Sequence, residues 1–222
     1  MRVRWFGQSA FRLEGAEGTV VIDPFGRLPE SVAARGITFG YPPVEGVSAD
    51  LVLVTHEHFD HNGVEGVEGD PPVVRLAGTH ETPIGTVVGV ASEHDPEGGI
   101  RRGPNAMYRF ALDGLQIAHL GDLGQPALRP EQTAALAGVD VLFVPVGGGP
   151  TLDGPQAAQV VAELGPSVVV PMHYGTPLAD FLGPVDPFLE ALGAPVERID
   201  ASQTGIERTD GRRVVLLAPP QA

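Results

Sequence analysis

A chain of 222 residues with 14 basic and 28 acidic side chains carries a formal net charge of −14, which repels phosphate backbones and anionic lipid surfaces and argues against nucleic acid or membrane as partners. The absence of cysteine excludes disulfides, thiolate metal sites and a cysteine nucleophile. Apolar residues make up 42%, enough for a core, yet no uncharged run is long enough to span a bilayer, and the start MRVRWFGQSAFRLEG lacks the apolar stretch of a secretion signal, so a cytoplasmic setting is expected.

From the N-terminus, residues 2–6, 9–13 and 18–23 read as short strands of a meander, separated by Gly7 and the EGAEG turn. A loop rich in Gly and Pro follows over 27–49. ADLVLVTH is then a continuous apolar run with a polar exit, the pattern of a buried strand that delivers a functional loop at its C-terminal end. Further strands are expected at 73–76, 86–91, 106–112 and 115–120, the last pair joined by the hairpin dipeptide Asp113-Gly114. Beyond this the pattern alternates: a helix over 129–138, a strand over 139–146, a helix over 153–165, a strand over 166–175, a helix over 186–193 and a closing strand over 212–219. With no linker or repeat to divide it, the chain reads as one domain, 1–222, with two sheets face to face and helices on the outer faces.

The exit of the ADLVLVTH strand carries THEHFDH, which places His56, His58, Asp60 and His61 within six positions of a chain that has seven histidines. In an extended segment residues 56, 58 and 60 share a face, while a turn starting near His58 would direct Asp60 and His61 toward a second point. One loop could therefore serve two cations. Imidazole nitrogen and carboxylate oxygen suit zinc, and also manganese or iron. The remaining ligands must come from distant segments. His94 leaves TVVGVASE and enters a turn, His173 leaves VVVPM in the same way, and Asp122 lies just past a strand beside Gly121, which permits a tight turn.

Other polar residues are less specific. His80, in AGTHETP, reads as a loop histidine outside the ligand set. His119 and Tyr174 stand next to ligand motifs and read as structural residues or neighbours of the centre, whereas Arg102 and Asn105, in RRGPN, could hold an acidic group of a substrate. The glycines of PVGGG lack the G-K-[ST] of a phosphate loop and are expected to let backbone pass close to the site. GQSAF lacks the last glycine of a nucleophile elbow, which sets a serine hydrolase aside.

The ordered series WFGQSAF, DPF, THEHFDH with HNG following, His94 in HD, RGPN, HLGDLG, PVGGG and PMHYGT resembles the metallo-β-lactamase superfamily, and within it a bacterial branch of metal-dependent hydrolases. The resemblance runs from about residue 4 to residue 176. It implies a four-layer αββα sandwich with two divalent ions, zinc in the first instance, at one edge between the sheets. It assigns His56, His58 and His94 to the first ion, Asp60, His61 and His173 to the second and Asp122 as the bridge, and gives Asp23, in VIDPF, a supporting role behind the metal loop. Asp60 would also orient a water or carry a proton in catalysis, on a small, anionic substrate. Gln8 and Gln125 depart from the branch, where histidine is common at both positions. Diiron redox relatives usually place an acidic residue where this chain has His58, so the ligand set favours hydrolysis over the redox and the non-catalytic alternatives.

Overall fold

The computed structural model describes residues 1–34 and 36–221. The N-terminal meander forms β1 (Arg2–Gly7), β2 (Ala10–Gly15) and β3 (Gly18–Ile22). The segment expected to be a plain loop contains one helical turn, α1 (Glu30–Ala33), and ends in β4 (Val47–Ser48). α1 buries no side chain, which is why no apolar periodicity announces it. Next come β5 (Leu51–Leu53), β6 (Val67–Glu68), β7 (Val73–Val74), β8 (Gly78–Thr82), β9 (Gly85–Glu93), β10 (Pro104–Leu112) and β11 (Leu115–His119). The alternating half supplies α2 (Pro130–Leu136), β12 (Val141–Pro145), α3 (Gly154–Leu164), β13 (Val168–Met172) and α4 (Asp186–Leu192), followed by β14 (Val196–Ile199), β15 (Gln203–Gly205) and β16 (Arg213–Leu217). Five strands escape the pattern: β4 and β6 have two residues each, and β8, β14 and β15 are short and half exposed, so neither alternation nor an apolar run marks them.

Two large sheets result, ordered β15-β1-β2-β3-β5-β7 and β14-β16-β13-β12-β11-β10-β9-β8, and β4 pairs with β6 in a separate two-stranded ribbon. In β3, Val20 and Ile22 face the intersheet core while Val21 faces outward onto Val52 and Val54, the period-two alternation of a strand covered on both faces. The outer layer on that side is thin, completed by Val67 of β6 and Val64 of a 3-10 turn. On the other sheet every residue of β12 is buried, as fits a parallel strand with helices over its outer face. α3 packs Ala157, Val160, Val161 and Leu164 there. Its ends are set by local chemistry: the Asp153 carboxylate accepts the Gln156 N–H at 2.9 Å, the Gln156 amide oxygen accepts the Asp153 N–H, and Gly165 ends the helix at φ +67°. Such caps contribute about 1 kcal/mol each.

The core between the sheets is aromatic at its centre. Phe11 meets Phe143 edge to face at 4.7 Å, and Trp5 lies against Tyr174 at 5.4 Å. Among the described residues no helix is long and apolar enough to cross a membrane.

Strand direction positions the site. β1, β3 and β5 run the same way in the first sheet, because β2 is antiparallel to both β1 and β3, and β5 is parallel to β3. β9, β11, β12 and β13 likewise share one direction in the second sheet. The segments that follow β1, β3, β5, β9, β11 and β13 carry Gln8–Ser9, Asp23, Thr55–His61, His94, Asp122 and His173. These six exits meet at one edge of the sandwich.

Candidate metal centre

Three of the six exits turn through the left-handed region without glycine: Gln8 at φ +48°, Asp23 at +48° and His173 at +50°. Each costs on the order of 1–2 kcal/mol, and each is held in place by buried hydrogen bonds. The Gln8 carbonyl accepts the Trp5 indole N–H at 3.0 Å and the His173 N–H at 3.2 Å, so the first and last of these exits are tied directly together.

Asp23 anchors the histidine loop. Its Oδ1 accepts the Thr55 N–H at 2.7 Å, and its Oδ2 accepts the Thr55 hydroxyl at 2.7 Å and the His61 Nδ1–H at 2.9 Å. Because the single Thr55 hydroxyl proton goes to Asp23, the 3.0 Å contact between Thr55 Oγ1 and His56 Nδ1 makes His56 the donor. One buried carboxylate thus fixes the tautomer of two imidazoles, and both present an Nε2 lone pair to the centre.

Those lone pairs converge on Asp122. Its Oδ2 lies 3.1 Å from His173 Nε2, 3.2 Å from His61 Nε2, 3.3 Å from His94 Nε2 and 3.9 Å from His56 Nε2. The other carboxylate oxygen accepts the Ser9 hydroxyl at 2.9 Å, and the Asp122 N–H donates to Asn105 Oδ1 at 3.0 Å. Gly121 is required between them: at φ +56° it turns the chain, and a Cβ there would stand 2.4 Å from Asn105 Oδ1. His58 Nδ1 lies 3.0 Å from His56 Nε2, and Asp60 Oδ2 lies 3.8 Å from His61 Nε2.

Candidate ligand atoms therefore gather in overlapping groups, His56 with His58 and His94, His56 with His61 and Asp122, and Asp60 with His61 and His173, each group within 4.8 Å internally. All seven residues singled out from the sequence lie in this cluster. His61 Nε2 is buried and makes no hydrogen bond despite its closeness to Asp122. An orphaned nitrogen aimed at a carboxylate, within a mixed nitrogen and oxygen set, fits a divalent cation of the zinc, manganese or iron type.

The protein's own electrostatics hold His56, His58 and Asp122 in their coordinating forms. Burial, reinforced by the adjacent His61, pushes the His56 pKa far below the usual imidazole range and keeps that ring neutral. His58 is lowered by burial and by His94. Burial opposes the charged form of His61 too, but Asp122, Asp23 and Asp60 outweigh it and raise its pKa well above the ordinary value. Burial would raise Asp122, yet His173 and His61 hold its carboxyl well below the usual carboxylate range.

The remaining residues separate into bracing and lining roles. His119 is fully buried, donates its Nε2–H to the Ser9 carbonyl at 2.9 Å and accepts the Gly121 N–H, which ties the two sheets together beneath the centre. Tyr174 turns its hydroxyl toward Leu217 O, away from the imidazole cluster. Asn105 is a fixed brace: its amide donates to Ser92 Oγ and Leu120 O while its oxygen holds Asp122. Gln125 pairs with Gln132 at the start of α2, which leaves it outside the centre, whereas Gln8 is buried with an amide that has no hydrogen-bond partner. His80 is a correction. It lies in β8, not in a loop, and lines a cleft that opens from His56 and His58 and also receives Arg102. The glycine reading of PVGGG holds at Gly147, where a Cβ would stand 2.3 Å from the His173 carbonyl.

Three residues that matter were missed. Ser9 and Thr55 carry ordinary hydroxyls, and only their position at the same strand exits as the ligands could have marked them. Asp95 follows His94, and its carboxylate accepts the N–H groups of Glu97, Gly99, Arg101 and Arg102, which shapes the loop that carries Arg102. Burial acts to raise its pKa, but those four donors prevail and lower it.

Comparison with known proteins agrees with this geometry. Residues 2–173, from the first strand to the last histidine of the cluster, match the family model described as the beta-lactamase superfamily domain. A metal-dependent hydrolase of Methanoculleus marisnigri is 31% identical over 255 aligned positions, covering 100% of this chain and 96% of the relative. A crystal structure from Thermotoga maritima, described as a candidate Zn-dependent hydrolase of the metallo-β-lactamase superfamily, superposes with a TM-score of 0.77 at 32% identity over 97% of both chains. A diiron β-hydroxylase of Streptomyces venezuelae, at 16% identity and a TM-score of 0.51 over 86% of this chain and 46% of that one, shares the fold alone. The chain belongs to the beta-lactamase superfamily and stands with its metal-dependent hydrolases.

Proposed function

We propose that the chain is a binuclear hydrolase that takes two divalent ions, zinc by preference, and cleaves an ester, lactone or phosphoester bond in a small anionic substrate. The observation that carries this reading is Asp122 Oδ2, a carboxylate oxygen with four imidazole Nε2 atoms within 3.1–3.9 Å. His56, His58 and His94 would hold the first ion and Asp60, His61 and His173 the second, with Asp122 within reach of both groups. When bound, such ions supply Lewis acidity at the scissile group and acidify a water to a nucleophile near neutral pH.

The chain's residues perform the rest. Asp23 and Thr55 keep His56 and His61 in the tautomers that ligate, and Ser9 and Asn105 hold Asp122 in one orientation. Asp60 has the more exposed of the two site carboxylates, 13% against 3% for Asp122. From there it orients the attacking water and passes a proton to the leaving oxygen. In balance, the water oxygen bonds to the carbonyl carbon or phosphorus, the scissile bond to oxygen breaks, and the departing oxygen leaves protonated. Arg102, whose guanidinium has no ion-pair or hydrogen-bond partner among the described residues, attracts an acidic group of the substrate from the rim of the cleft.

Elemental analysis of purified protein, followed by a screen of esters, lactones and phosphodiesters, tests the proposal. Two metal equivalents per chain and turnover in one class are expected, with metal and turnover lost together in His61→Ala and Asp122→Ala. Full occupancy at unchanged affinity in both variants sinks the ligand assignment, and a reducible iron pair without hydrolysis moves the chain to the redox reading.

A further inference from the structure

The cleft that begins at His56 and His58 continues outward between β7, the edge strand of the first sheet, and the β8–β9 edge of the second, with a volume of about 770 Å³. That lies within the size range of small-molecule sites. Its outer wall is apolar, formed by Val73, Leu76, Ala77, Ala91, Pro104 and Ala106. Among the described residues only Val73, Leu76, Ile100 and Phe181 are large hydrophobics left exposed, and two of these four stand on this wall, Val73 at 38% and Leu76 at 70% exposure. Apolar surface collected in a groove that joins a reactive centre is the signature of a ligand surface, since scattered exposed side chains would have no reason to gather there.

The wall is built in place. His80 donates its Nε2–H to the Leu76 carbonyl at 2.9 Å, which pins the turn that carries Leu76. Within β9, Gly89 lets that carbonyl approach the strand, because a Cβ at residue 89 would stand 2.7 Å from Leu76 O. The cation in the middle of the groove is neutralised: Arg75 donates to both carboxylate oxygens of Glu57, at 2.9 and 3.0 Å, and to Asn62. The unpaired Arg102 is thus the group on this wall left free to meet an anion.

Resting on the hydrolase reading above, we propose that the substrate is an acyl compound with an extended apolar chain. Its scissile carbonyl sits at the centre beside His56 and His58, and its acyl chain lies along Val73, Leu76, Ala77, Ala91, Pro104 and Ala106. The inner end of the groove is formed by two candidate ligands, so the chain must begin within a few atoms of the scissile carbon. An acyl chain meets this requirement, because it is bonded directly to the scissile carbon. Hydrolysis adds water across the acyl–oxygen bond and yields a carboxylic acid whose tail occupies the groove and an alcohol that departs with a proton.

The test uses metal-loaded protein and p-nitrophenyl acetate, butanoate, hexanoate and octanoate. Burial of successive methylenes raises kcat/KM by up to about fourfold each until the groove ends, so the octanoate-to-acetate ratio is large in the native chain. Leu76→Asp and Val73→Asp collapse that ratio, while Ile100→Asp, which alters an exposed apolar residue off the groove, keeps it. Equal kcat/KM across the series, or a ratio unmoved in both groove variants, overturns the proposal. Calorimetry with free butanoate and octanoate reads the groove without turnover: octanoate binds at least about tenfold tighter, and Leu76→Asp removes the difference. Lack of turnover for every ester therefore counts against the hydrolase reading, whereas equal binding of the two acids counts against the acyl groove.

Discussion

The deep half of the centre and its mouth are built on opposite principles. In the depth, Asp23, His56, His61, His94, Asp122 and His173 are buried, and Asp23, Ser9, Thr55 and Asn105 fix the ring and carboxylate orientations. At the mouth, His58 is half buried, the Arg102 guanidinium has no partner among the described residues, and Leu76 faces solvent. Holding ions requires ligand atoms preorganised to a fraction of an ångström, which buried hydrogen bonds can enforce. Accepting a substrate requires surface that stays available, and the mouth keeps the Arg102 guanidinium and the Leu76 side chain for it while Arg75 and His80 are tied to Glu57 and the Leu76 carbonyl. Substitutions of the ligands and their braces should alter metal content first, and substitutions of Arg102 or Leu76 at the mouth should alter KM first.

The largest expected effect is Asp122→Ala, which removes the oxygen shared by four imidazoles: metal analysis should show loss of at least one equivalent, with hydrolysis falling below detection. Retention of both ions would break the contrast at its deepest point. Asp23→Asn comes next. The amide can still accept from Thr55 N–H, but its NH2 opposes the Thr55 hydroxyl and the His61 Nδ1–H, so His61 is driven to the tautomer whose Nε2 cannot ligate. Metal affinity should fall about 10–100-fold, read by competition with a chelating dye. Unchanged affinity would show that the tautomer is set elsewhere.

Asn105→Ala leaves the Asp122 N–H and the Leu120 carbonyl unpaired in a buried setting, at a cost of about 1–3 kcal/mol for each group. A lower thermal midpoint of the metal-free protein should register it, with a smaller fall in metal affinity than Asp23→Asn produces. The smallest effect belongs to the mouth. Arg102→Gln should raise KM for an anionic substrate by up to about fivefold, the scale of an exposed charge pair, with kcat and metal content unchanged. The wild-type advantage should also shrink as salt is added. A change in metal content with Arg102→Gln would erase the distinction between depth and mouth.

The resemblance to the superfamily and the alternation of the chain together gave an accurate expectation of the sandwich. The meander, the buried strand before THEHFDH and the helix–strand alternation after Asp113-Gly114 are all local patterns, and each has its counterpart within a few residues. β8, β14 and β15 went unseen because short edge strands with mixed burial carry no periodicity. His80 was misplaced for that reason: a histidine between Thr79 and Glu81, in a short polar stretch bounded by Gly78 and Pro83, reads as loop unless pairing with β9 is known.

By itself, the sequence determined which side chains could ligate and that they stand at strand exits. Both properties are local: ligand chemistry belongs to the residue type, and an apolar run with a polar end marks a strand and its exit within about ten positions. Only the tertiary structure decided that Ser9 meets Asp122 across 113 positions and that Asp23 governs His61 across 38. It also decided that the same edge carries an apolar groove next to the candidate ligands His56 and His58. Those relations depend on the direction and order of strands in two sheets, and on how closely backbone can pass at Gly89, Gly121 and Gly147. No window of sequence contains them, because the partners become neighbours only when the sheets close on each other.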